Sequence, residues 1–193
     1  MTLARPFAFG LFCALALSGG ALMAQDAAPA EPSDLPLGEP EPAAPGIYVA
    51  EVFGDWEKRC ARLQDGTDPC QLFQILRDST GNPVAEFTIA PLPTPEGGAV
   101  AGGTIITPLD TLLTGQLRLG VDGGETKVYP FRFCREIGCY VRLGFTAEDI
   151  AAFKRGNAAQ VAIVPLQAPD QLVTLTTSLS GFTAGYDSLA AEN

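Results

Sequence analysis

Histidine is missing from this chain altogether. That removes the side chain that titrates nearest neutrality, the commonest general base and the commonest metal ligand. Positive charge is scarce as well. Twelve Lys and Arg stand against 22 Asp and Glu, a formal net charge of −10. Such a field repels nucleic acid and anionic lipid head groups and keeps a protein soluble without naming any partner. Beyond residue 24 there is no long apolar run, so no transmembrane segment is expected.

Nucleophile chemistry is equally thin. Ser178 and Ser180 have no imidazole to activate them, and no G-x-S-x-G turn is present. The glycine-rich stretch Glu96–Thr104 lacks the G-K-[ST] ending and following helix of a phosphate loop, and reads as a flexible or bulged strand. Carboxylates are plentiful enough for a glycosidase-type pair. Asp55 and Glu57 are expected on one strand face, but that spacing recurs by chance in any acidic protein. No catalytic, cofactor-binding or metal-binding residue is assigned, no cofactor is expected, and the chain reads as a non-enzyme.

The N-terminus is different in kind. Arg5 precedes an eleven-residue apolar core, Phe7–Leu17, which Ser18-Gly19-Gly20 breaks before small residues ending at Ala24. The core is too short to span a bilayer, and residues 1–24 read as a secretory signal peptide cleaved near Ala24. Cleavage removes Cys13, and loss of Arg5 takes the net charge to −11. Residues 25–46 hold six prolines and five acids with no Lys or Arg. Such a composition buries too little to offset its ordering entropy and reads as a disordered acidic linker. Residues 47–193 then form a single domain, long enough to bury a core.

Within that domain the pattern is mostly β. Near-alternation marks Ile47–Phe53, Cys70–Arg77 and Val84–Ala90, with further strands at Val100–Thr107, Gln116–Val121, Thr126–Phe133, Tyr140–Phe145, Gln160–Leu166 and Leu172–Leu179. Asp122-Gly-Gly124 signals a hairpin, and Pro130 an edge or bulge. Short strands between Gly/Pro turns predict an antiparallel β-sandwich or small barrel. One short helix is expected near 146–156. Thr146 can cap it, Asp149 falls in its first turn, Ile150 and Phe153 share a face, and Gly156 is expected in the left-handed C′ position. Trp56, the single tryptophan, is expected in the core.

Four cysteines remain after the signal: Cys60, Cys70, Cys134 and Cys139. An even set behind an export signal reads as disulfides in an oxidising compartment, which gives a periplasmic or secreted location. Neither spacing is the Cys-x-x-Cys of a redox pair, and the nine-residue first gap is wide for a zinc knuckle. Three connectivities are open. Chain entropy alone favours long-range links, at about 4.5 kcal/mol against about 2–3 for each local loop. Local loops close more readily during oxidative folding, so Cys60–Cys70 and Cys134–Cys139 are preferred.

Four pieces in order then give a resemblance. Phe53-Gly-Asp-Trp56 leads to Cys60 and a second cysteine, followed by Cys134-Arg-Glu-Ile-Gly138-Cys139. Ile150-Ala-Ala-Phe-Lys-Arg-Gly156 comes next, then Ser178-Leu-Ser-Gly-Phe182 and Ala184. Together they resemble the invasion-associated locus B family of exported bacterial proteins, over about residues 50–190. The resemblance implies a disulfide-stapled β-rich domain at or beyond the cell envelope, with no catalytic residues to carry over. Some members in pathogens are linked to host-cell entry and stress response, while many occur in free-living bacteria. The expected function is interaction with an unidentified protein, envelope or host-surface partner. An envelope hydrolase using carboxylates and a periplasmic chaperone or inhibitor are the alternatives. Oligomeric state is not legible in the sequence.

Overall fold

A computed structural model describes residues 46–191. The signal peptide expected over 1–24 and residues 25–45 of the linker expected over 25–46 lie outside the described residues. Gly46, the last residue of the stretch read as linker, already belongs to a strand.

Eleven strands and two helices follow in order among the described residues. They are β1 (Gly46–Phe53), β2 (Trp56–Arg62), β3 (Cys70–Arg77), β4 (Pro83–Glu96), β5 (Ala99–Thr107), β6 (Leu117–Val121), β7 (Thr126–Tyr129), β8 (Phe131–Arg135) and β9 (Gly138–Phe145). Helix α1 (Ala147–Arg155), strands β10 (Ala158–Ile163) and β11 (Val173–Ser178), and helix α2 (Phe182–Ala190) complete the domain. All ladders are antiparallel, in the order β7-β6-β10-β11-β3-β4-β5-β9-β8. The two end strands, β7 and β8, are consecutive in the chain, joined at Pro130. The sheet therefore curls into a nearly closed barrel, as the short strands and turn residues predict. Pro130 does not interrupt one edge strand. Lacking an N–H to donate, it stands where the chain leaves one edge of the sheet and enters the other.

β3 carries the fold's one branch. Along its first half it pairs with β2, from Glu57↔Phe73 to Cys60↔Cys70. On the same side, further along, it meets β11 only at Thr176↔Arg77. β1 pairs with β2 alone. The local pattern does not mark β2, because Glu57-Lys-Arg59 looks like surface. Yet Lys58 is buried, facing inward opposite Glu51 of β1.

The inner faces close over an aromatic core. Trp56 is fully buried with its ring 5.6 Å from Phe87 and 5.4 Å from Phe182, and Phe153 lies 5.3 Å from Phe182. The two Trp56 pairs are edge-to-face and the third is tilted, and such ring contacts add to the area each ring buries. α1 supplies Ile150 and Phe153, and α2 supplies Phe182, Tyr186 and Leu189.

α1 begins in a full capping box: Asp149 N–H donates to Thr146 Oγ1, and Thr146 N–H donates to Asp149 Oδ2 at 2.9 Å. Its end departs from expectation. Gly156 is extended at φ −77°, ψ 164°, not left-handed. Glycine is needed there for space, since a Cβ would lie 2.6 Å from Val121 Cγ1. α2 was not expected. Its Thr183, Gly185 and Ser188 are poor helix formers, but bare Gly185 lets the helix settle on Leu72 of β3.

Candidate functional site

The residues singled out in sequence meet at the fork beside β3. The turn Phe53-Gly54-Asp55-Trp56 docks against Ser178–Phe182. Asp55 N–H donates to Ser180 O at 3.1 Å, and the Ser178 hydroxyl donates to Asp55 Oδ2 at 2.6 Å. Trp56 Nε1–H donates to Ser178 O at 2.9 Å. Buried Gln74 fills the fork itself. Its amide nitrogen donates to Asp55 O and Ser178 O, and its oxygen accepts from Ser178 N–H. One amide side chain thus stands in for the ladder bonds that separate when β2 and β11 part from β3. Two glycines make the close approach possible. Gly54 (φ 57°) and Gly181 (φ 84°) are both left-handed, and a Cβ on Gly181 would strike Phe53 O. Gln74 carried no signal in the sequence, where it is one polar residue inside an apolar strand.

This joint answers the carboxylate question. Asp55 lies in the turn, not on β2, and is bound by Ser178. Glu57 accepts from Arg59 Nε at 2.7 Å. Each has a structural partner, and both line one open cavity beside Gln74. A second cluster lies where α1 meets the β6–β7 hairpin. Lys127 donates to Asp149 at 2.6 Å. Burial pushes the Asp149 carboxyl up, but bonds from Lys127 and Thr146 outweigh it and leave it below the usual range. The same bond raises Lys127, and burial followed by Asp149 raises the neighbouring Tyr129 phenol. That cluster holds a compensated ion pair and a neutral phenol, with no nucleophile. Among the described residues no three His, Cys, Asp or Glu gather as a metal site requires.

Both disulfides are cross-strand. Cys60 is bonded to Cys70 across β2–β3 and Cys134 to Cys139 across β8–β9, each pair directly opposite in register with Cα atoms 4.0 Å apart. Cys60 and Cys139 are buried.

The opposite side of the same β1–β2 hairpin is bare. Among the described residues β1 has no strand on its outer edge. Register puts Ile47, Val49 and Val52 opposite Ala61, Arg59 and Glu57, on the outer face. They are 73%, 48% and 62% exposed. A bulge between Val49 and Glu51 interrupts the ladder. Apolar, branched side chains on a free edge are the features by which a sheet accepts another strand.

Residues 56–190 match the sequence profile of the invasion associated locus B (IalB) protein family. The chain belongs to the IalB family. Two Brucella abortus proteins, each an invasion protein B homolog, are 29% identical to it over 143 residues, covering 74% of this chain and 80% of theirs. The crystal structure of invasion associated protein b from Bartonella henselae superposes with a TM-score of 0.58 at 24% identity, over 73% of this chain and 94% of that one. That likeness shows the fold. The IalB match opens at Trp56 and ends at Ala190, so it takes in the core, both disulfides, Gln74 and Ser178–Phe182. β1 lies before it. Of the motifs that carry the IalB resemblance, Phe53–Trp56 and Ser178–Phe182 meet at the fork, while Cys134–Cys139 staples β8 to β9 and Ile150–Gly156 forms the packing face and end of α1. No helix among the described residues is long and apolar enough to cross a membrane.

Proposed function

We propose that this protein is a non-enzymatic, exported interaction protein that receives an extended strand of a partner protein along β1. The exposed row Ile47, Val49 and Val52 on an unpaired edge is the observation that carries the reading. Export is supported by the two disulfides, which persist in oxidising compartments. The absence of histidine and the structural engagement of Asp55 and Glu57 support a binding role over hydrolysis.

Charge selects the occupant. Glu51 is the one Asp, Glu, Lys or Arg within β1, and the whole chain carries −10. A neutral or basic strand with alternating apolar residues is favoured, while an acidic strand or a second copy of this chain is repelled. The bulge and Glu51 act in the same sense, limiting indiscriminate pairing.

The test is anisotropy of a labelled ten-residue peptide alternating Val with Lys or Thr, titrated with the disulfide-bonded protein. Saturable binding is expected, weakened at least tenfold by Val49→Lys/Val52→Lys and by backbone N-methylation of the peptide. Equal binding by the double variant, or preference for an acidic version of the peptide, would overturn the proposal.

A further inference from the structure

A second surface, independent of the β1 edge, lies on the outer face of β4, β5 and β9. Register sets Ala90 beside Gly102, and Gly102 beside Gly144. Three neighbouring strands thus present one methyl group and two bare Cα positions in a row, and the trough above them measures about 440 Å³. The adjacent row is Thr88, Thr104 and Arg142, again directly opposite one another. Gln71 of β3 closes one end of the trough. At the other end stands Arg132, the residue left over where Phe131 faces Val141 and Phe133 faces Tyr140. A bulge of this kind takes its extra residue out of the strand's alternation and re-aims its side chain. Arg132 and Arg142 therefore line the same trough.

Neither guanidinium has a hydrogen bond or ion pair among the described residues. Both are exposed, and Glu96 is the one carboxylate that lines the trough with them. Two unpaired arginines converging on one concavity are a local exception in a chain of net charge −10. Planar guanidinium forks match carboxylate and sulfate geometry, which a lysine pair would not. The floor adds a different requirement. The Thr104 hydroxyl and a glutamine amide supply donors and acceptors, the Thr88 hydroxyl, which donates to Thr104 O at 3.5 Å, adds an acceptor, and the glycine row leaves flat space beside them. The slot runs across the strands from β3 to β8, four strand spacings or roughly 19 Å. An extended peptide lying across strands finds no ladder to join, whereas a polyhydroxylated ring finds partners for its hydroxyls.

We propose that this trough binds an anionic sugar of a glycan. Arg132 and Arg142 take the acid group of one sugar and Thr104 its ring hydroxyls, Thr88 and Gln71 take hydroxyls of the next sugar along the slot, and the rings lie over Gly102 and Gly144. Carboxylate and sulfate share this chemistry, and the direct measurement separates them.

Isothermal titration of the disulfide-bonded protein with oligogalacturonate, dextran sulfate, a neutral galactose oligomer and poly-glutamate tests the site. At least one of the two anionic sugars should bind saturably, and which one names the acid group. The neutral oligomer should bind at least tenfold more weakly. Arg142→Gln and Arg132→Gln should each weaken binding about tenfold, and Thr104→Val several-fold. Arg155→Gln removes the same charge from an exposed position outside the trough and should leave binding unchanged. No binding of either anionic sugar would overturn the proposal, as would equal losses from Arg155→Gln and Arg142→Gln. Poly-glutamate binding as tightly as the sugars would replace the glycan with an acidic polypeptide.

Discussion

The β1–β2 hairpin has two sides that obey opposite rules. At its turn, Gly54, Asp55 and Trp56 are drawn into the fork by Gln74, Ser178 and Ser180, and the polar groups named there are matched across about 3 Å. Along its edge, Ile47, Val49 and Val52 are exposed, with no neighbouring strand among the described residues. The turn lies at the start of the stretch the IalB family shares, and the edge precedes it. One hairpin thus joins a polar joint, whose buried groups must all be satisfied, to an exposed strand that has no such constraint.

The sharpest way to break that contrast is Trp56→Ala. It removes the ring between Phe87 and Phe182 and one of the two side-chain donors to Ser178 O. Denaturant unfolding should show a loss of about 3–5 kcal/mol. A loss below about 1 kcal/mol would mean that the joint is not what seals the barrel.

Next in size is the staple beneath the joint. Cys60→Ala/Cys70→Ala opens a link between residues 10 apart in sequence and should cost about 2–3 kcal/mol, measured the same way. The rim pair Cys134–Cys139 closes a separation of 5, and its loss should cost less.

A smaller effect of opposite sign is expected at Thr177, fully buried on β11 with a hydroxyl that has no hydrogen-bond partner among the described residues. Thr177→Val keeps the shape and removes the unpaired group, so stability should rise by up to about 1 kcal/mol. Destabilisation by that substitution would reveal a partner for the hydroxyl.

Acid should act on exposed turns and leave the joint for last. Bonds from the Thr80 hydroxyl, then from Asn82, hold Asp78 at about 2, and Asp65, Asp122 and Asp149 are lowered too. A carboxyl lowered on folding stabilises the native state above its ordinary value of 3.8 and loses that contribution as pH falls toward the folded value. Lys127, raised on folding, contributes below its ordinary 10.5 and loses that contribution only above it. With no histidine to titrate between them, the melting temperature should be flat from about pH 5 to 9 and fall below about pH 4. Asp78→Asn should make the acid limb shallower. A transition between pH 5 and 8 would contradict this account.

The smallest stability change belongs to the edge. Val49→Lys/Val52→Lys should alter unfolding by less than about 0.5 kcal/mol while abolishing strand-peptide binding. If the double variant unfolded much more easily, β1 would belong to the core and the contrast would fail.

Some of this molecule was written locally. Thr146 and Asp149 three residues apart specify a cap wherever they occur, and Ile150 with Phe153 then names the buried face of α1. Alternation and Gly/Pro turns were enough for a mostly β barrel, because period two and turn chemistry are properties of short segments. Tertiary structure decided what depends on distant partners. β2 was hidden because Lys58 and its charged neighbours look like surface until Glu51 of β1 lies opposite. α2 was hidden because Gly185 weakens a helix that packing on Leu72 then supports. Gly156 was given a handedness when what it supplies is room for Val121. Gln74 meets Ser178 across 104 residues, and Arg132 meets Arg142 through a bulge in register. Sequence period sets which way a side chain faces along its own strand. Which strand ends up beside it is fixed only when the whole sheet closes.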